Sequence, residues 1–153
     1  GALGSVALDK MDFALSTMRA TKKRILDAVK DTGIKARPVY DEEGDTASHL
    51  IFMLPSAEAA LQFRSAAAQA GTQFSIISEN TWHFAKHWNA LEDLGGKDIF
   101  GIKAPSYAPE TMKDADEILS RAVMIGLNIY MSDEEIVRII SSVRHGAKAA
   151  LSR

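Results

Sequence analysis

The sequence predicts an α+β fold, a small, mostly antiparallel sheet covered by helices, with a long helix at its N-terminal end. Three observations predict it. Leu8, Met11, Leu15, Met18, Ile25 and Val29 recur at steps of three and four, the period of an amphipathic helix, with Lys22 filling the one missing place in the series. Short β-rich runs bounded by Pro, Gly and charged residues alternate with further helical stretches. The 153 residues, 46% apolar and 25% charged, have the size and composition of one domain with its own core. Residues 1–33 are then the long helix and 34–153 the α+β unit.

The first helix is predicted over residues 5–32, with Gly33 as its C-cap. At 1.5 Å per residue it would be about 40 Å long, more than a compact domain of this size needs. The excess predicts a partner surface on Leu8, Met11, Leu15 and Met18, buried by another domain or by a second copy of the chain. A strand follows over 35–40, then the charged turn Asp41, Glu42, Glu43, Gly44 and Asp45, then a strand over 49–54 that ends at Pro55 and pairs with the first. Ser56 caps an Ala-rich helix over 57–70 whose small face suits close packing, and Gly71 ends it. Residues 74–78 are expected as a third strand and 82–91 as a short helix. Five Gly and Pro residues make 94–109 a loop. A helix over 114–120 leads to a buried strand over 121–129. Ser132 and Glu135 form a capping box that opens the last helix, with Ile136, Ile139, Ile140 and Val143 on its buried face.

Composition removes several classes of function. Eighteen Lys and Arg against twenty Asp and Glu leave a net charge of −2, without the basic excess that nucleic acid or an acidic membrane surface requires. No cysteine is present, which excludes disulfides, thiolate nucleophiles and cysteine-ligated zinc, and makes the cytoplasm the expected compartment. The apolar run over 122–129, interrupted by Gly126 and Asn128, falls well short of the roughly 20 residues that span a bilayer. Residues 1–5 lack the basic and apolar regions of a targeting peptide. The missing initiator Met is expected of a processed chain or of a piece of something longer.

The densest chemical cluster is Asn80, Thr81, Trp82, His83, Phe84, Ala85, Lys86, His87 and Trp88. On a helix, His83 and His87 would share a face and could hold a metal, but no Glu lies between them as in H-E-x-x-H and no third ligand is evident beyond Glu79 or Asp93. The alternatives are a rim of packed aromatic residues with wet imidazoles, or a ligand-facing aromatic and imidazole patch. No serine sits in G-x-S-x-G, and Gly95, Gly96 and Lys97 lack P-loop spacing. The acidic turn 41–45 reads as a solvated turn. Arg121, opening a buried strand, is either an anion-binding residue or a partner for Glu117.

The order of these pieces resembles a known family. Gly1, Ala2, Gly4, Leu8, Lys10 and Asp12 are similar to the G-A-x-G-x-x-x-L-x-K-x-D run that opens the interdomain helix of the DegT/DnrJ/StrS family of pyridoxal-phosphate (PLP) sugar aminotransferases. Arg37, Pro38 and Val39, then Asp45 before His49 to Pro55, resemble the first two strands of that family's small domain. Ile118 to Ala122, followed by Ser132 to Glu135, resembles its C-terminus. The resemblance covers nearly all of the chain. It implies the C-terminal small domain of such an enzyme, a fragment that contributes substrate contacts and domain packing. The large domain, with the Schiff-base lysine, would be missing. None of the ten lysines stands in the sequence context expected of that lysine, so the chain alone is expected to be inactive and to bind no PLP tightly. Trp82, His83 and Phe84 match the segment that reaches substrate in the family, and Asn80 to His83 looks closer to members acting on eight-carbon keto-sugar acids than to those using nucleotide sugars. Two other readings compete: a stand-alone interaction or dimerisation module, and a metal-binding protein using His83 and His87.

Overall fold

The computed structural model describes residues 1–88, 98–99, 101–103 and 109–152. Helix α1 (Ala2–Asp9) and helix α2 (Met11–Val29) stand where one helix over 5–32 is expected, and the helical start lies earlier, at Ala2. At Lys10 (φ −100°, ψ 0°) the amide reaches back three residues, to the Ala7 carbonyl at 3.2 Å, instead of four. Every described side chain of α1 is exposed, so none of these packs to hold α1 in line with α2. Helix α2 is held, because Thr21, Ile25 and Val29 are buried one turn apart. It tightens into a 3-10 turn over Lys30–Thr32 and ends, as expected, at Gly33, whose φ of +79° suits a residue without a Cβ.

Strand β1 (Lys35–Ala36) is shorter than the run over 35–40, since Pro38 lacks the amide to continue the ladder after Arg37 donates to the Ile51 carbonyl at 2.9 Å. It pairs antiparallel with β2 (His49–Met53). Ser56 caps α3 (Ala57–Gln69) by accepting from the Ala59 amide at 3.1 Å. Strand β3 (Ser75–Ile76) keeps only two of the five residues expected, because the chain turns into a 3-10 turn over Ile77–Glu79. Within the expected loop, β4 (Asp98–Ile99) and β5 (Ile102–Lys103) form a short hairpin; residues 94–97, 100 and 104–108 of that loop lie outside the described residues. Helix α4 (Lys113–Ser120), β6 (Ala122–Gly126) and α5 (Asp133–Leu151) complete the order. Both reciprocal bonds of the capping box are present at Ser132 and Glu135.

The four-stranded sheet has the order β1-β2-β6-β3, and every pairing in it is antiparallel. Leu50, Phe52 and Leu54 project to one face and are buried, while His49 is exposed and Ile51 and Met53 are half-buried on the other. The buried face meets Ile25 and Val29 of α2, Ala60, Phe63 and Ala67 of α3, and Ile136, Ile139 and Val143 of α5 in one core. Phe63 is its hinge point, with ring centroids 6.2 Å from Phe52 and 5.2 Å, edge-on, from Phe74. Gly146 lets α5 lie directly on that ring, since a Cβ there would stand 2.6 Å from Phe63 Cδ2. Among the described residues no helix is long and apolar enough to cross a membrane.

Candidate functional site

The end of the sheet where β2 and β3 finish and β6 begins gathers the chemistry-bearing residues. After β3 the chain runs through the 3-10 turn Ile77–Glu79 into the segment holding both tryptophans. Asn80 closes an Asx turn, its Oδ1 accepting from the amides of Trp82 (2.9 Å) and His83 (3.0 Å). Phe84 is buried, and its ring meets the His87 ring edge-on at 5.5 Å. The Ser78 carbonyl lies 2.7 Å from His87 Nε2, and because a carbonyl only accepts, that contact places the proton on Nε2. Trp88 Nε1 donates to the Trp82 carbonyl at 3.1 Å, and Lys86 pairs with Asp116 of α4. These bonds fix the backbone while leaving Trp82 82% exposed and His83 exposed. Of the three residues expected to face substrate, Trp82 and His83 are thus presented to solvent, and Phe84 anchors the segment from below.

The short α-helix expected over 82–91 is instead a turn followed by a 3-10 turn over Ala85–His87, and residues 89–91 lie outside the described residues. Without an α-helical repeat, His83 and His87 do not share a helix face, and His87 is engaged by Ser78. Among the described residues no group of three or more His, Cys, Asp or Glu side chains could hold a metal ion. The lysines of known surroundings do not fit PLP either. Lys22, Lys23 and Lys86 are paired with carboxylates, and Lys10, Lys30, Lys35, Lys113 and Lys148 are exposed.

Arg121 stands at the same end of the sheet, between α4 and β6, where its carbonyl accepts from the Leu54 amide at 2.8 Å. It makes no ion pair with Glu117, and its Nε is buried with no hydrogen-bond partner. Elsewhere, the acidic turn proves partly structural. Lys22, 12% exposed, reaches Asp45 Oδ2 at 2.5 Å, which explains a lysine on the apolar stripe of α2. Arg19 donates to the carbonyls of Glu43 and Asp45, and Asp45 Oδ1 accepts from Ala47, which is buried at a left-handed φ of 55°. The Lys22 hydrogen bond, more than any other contact, holds the Asp45 carboxyl below its ordinary range, against the opposing effect of burial.

On the expected partner surface, Leu8 (64%) and Met11 (44%) are exposed and Leu15 and Met18 half-buried. Val6 and Phe13, 52% and 64% exposed, are further exposed apolar side chains on these helices, outside the stripe read from the sequence. Phe13 was hidden from that reading because it falls two residues from Met11 and Leu15, off the three-and-four series.

No protein-family model matches the sequence. The fold is similar to that of an aminotransferase, TlmJ from Streptoalloteichus hindustanus, in its crystal structure, with a TM-score of 0.64 at 16% sequence identity. The likeness covers 97% of this chain and 35% of that one, so the chain spans about a third of the length of its structural neighbour and shares the fold of that portion.

Proposed function

We propose that this chain is the C-terminal domain of a PLP-dependent aminotransferase of the DegT/DnrJ/StrS kind, acting on a sugar or keto-sugar acid. The observation that carries the proposal is the match of nearly the whole chain to about a third of an aminotransferase. A catalytic domain of the complete enzyme would hold PLP through its own lysine and supply the electron sink. This chain would close the substrate side, offering the Trp82 ring as an apolar platform and His83 as a hydrogen-bonding group, with Asn80, Phe84 and His87 holding them in place. Leu8, Met11, Leu15 and Met18, with Val6 and Phe13, would pack on the catalytic domain.

The test begins with the coding DNA ahead of Gly1. A frame that continues into a lysine-bearing domain, whose purified product absorbs as a PLP Schiff base and transfers an amino group to a keto sugar, is the expected result. A longer product that binds no PLP would overturn the proposal. The exposed apolar helix surface favours a second reading, a stand-alone module that dimerises or docks on a separate chain. A stop codon directly upstream, with a start codon before Ala2, would move that reading to first place.

A further inference from the structure

We infer that two ion pairs, Arg64–Glu79 and Lys86–Asp116, are positioning groups that hold Trp82 and His83 where substrate meets them; the inference rests on the aminotransferase reading above. Residues 77–88 form a compact surface loop, two 3-10 turns and the chain between them, closed on itself by its own side chains. The Ser78 carbonyl accepts from the His87 ring, the Trp82 carbonyl accepts from the Trp88 indole, and Asn80 Oδ1 accepts from the Trp82 and His83 amides. All of these bonds lie inside the loop. They fix its shape, and none of them fixes its orientation on the domain.

Orientation is set by what crosses to other elements. Of residues 77–88 Phe84 alone is buried, so one side chain roots the middle of the loop. A single root leaves the exposed rings free to tilt about it unless the flanks are tied. The two ion pairs tie them: Arg64 of α3 meets Glu79 at 2.5 Å, and Asp116 of α4 meets Lys86. Trp82, His83 and the root all fall between Glu79 and Lys86 in the chain. Both pairs are less open to water than the exposed Lys23–Asp27 pair, so solvent screens them less. Helix α4 suits this duty, because none of its residues is buried and it packs against the 3-10 turn Ile77–Glu79 and α3. Outside the core and bonded to the loop, it is a brace. A platform already held in its bound orientation loses less freedom when ligand arrives, which tightens binding without any new contact.

The test uses the whole chain, labelled with 15N, and reads the order parameters of the Trp82 and His83 amides from relaxation. In the unaltered chain they should match those of β6, at about 0.85, and Glu79→Gln with Asp116→Asn should lower them to roughly 0.6 while β6 keeps its value. Order that survives the loss of both pairs would overturn the inference, as would a loop already mobile in the unaltered chain. Lys86→Glu alone should repeat the loss, and Lys86→Glu with Asp116→Lys should restore the order by re-forming the pair with its charges exchanged. A failure of the exchanged pair to restore it would also overturn the inference. Asp27→Asn, which breaks an exposed pair elsewhere, should leave the order unmoved. In the longer enzyme, Glu79→Gln with Asp116→Asn should raise KM for a keto sugar by about fivefold with kcat held, because binding alone is weakened. An active enzyme whose KM does not move removes this inference and leaves the aminotransferase reading standing. A longer product that transfers no amino group before any substitution removes that reading, and this inference with it.

Discussion

Trp82, His83 and Phe84 are consecutive, yet they differ sharply in burial, and substitution separates them. Phe84→Ala is expected to cost roughly 3 kcal/mol by emptying a buried site, whereas Trp82→Ala and His83→Ala stay within about 0.5 kcal/mol in urea denaturation. A large drop in the midpoint of His83→Ala would remove it from the substrate side. Gly146→Ala sets a gain in helix propensity of about 1 kcal/mol against a Cβ 2.6 Å from Phe63, whose ring is pinned by Phe52 and Phe74. Calorimetry should show a net loss, and Gly126→Ala, with nothing within 4 Å, should show none. Sequence alone placed the aromatic cluster but not its division of labour. Neighbours in a turn point in different directions, and only the Asn80 and Ser78 hydrogen bonds fix which ring goes inward. For Arg121 the sequence left two partners open, and the missing Glu117 contact is a fact of three dimensions.

At the scale of elements, the contact between α2 and the loop before β2 makes stability depend on pH. The folded Asp45 carboxyl lies below its unfolded value, so its contribution is complete above the ordinary carboxylate range and is lost as pH falls through the folded value. Asp31, held low chiefly by its hydrogen bond from Arg144, adds in the same direction. Asp45→Asn should lower stability at neutral pH by about 2 kcal/mol and flatten the acid limb of a urea-midpoint profile. Asp27, also held low by its hydrogen bond from Lys23, sits in an exposed i,i+4 pair, so Asp27→Asn should change that profile far less than Asp45→Asn does. The elements themselves were legible where local chemistry decides them. The capping box, the Ser56 cap and the Gly33 stop each stand at the residue expected. Strand lengths were not legible, because β1 and β3 extend only as far as their neighbours and turns allow.

For the whole molecule, the apolar surface of α1 and the start of α2 dominates behaviour in solution. Val6, Leu8, Met11 and Phe13 are all more than two-fifths exposed, and water disfavours that much exposed apolar side chain. Light scattering on the purified chain should detect self-association that grows with concentration, and a Leu8→Glu, Met11→Glu double variant should be monomeric. A wild-type chain that stays monomeric at high concentration would contradict this. The α+β class and the pairing of the first two strands followed from the sequence. The break at Lys10 did not, since the helical period continues through it and only the lack of packing on α1 lets the axis step.

The strand order also sets a timetable for biosynthesis. β2 and β3 never touch as partners; each is joined to the sheet through β6, which leaves the ribosome more than forty residues after β3. Until then β3 has no strand partner, β2 is paired on one side only, with β1, and the aromatic faces of Phe52, Phe63 and Phe74 lack the cover that β6 and α5 bring. The sheet can only close late, through contacts distant in the chain, which slows folding and lengthens exposure to aggregation and chaperones. Loss of the C-terminal quarter would remove both β6 and α5, and with them the axis around which everything earlier is arranged.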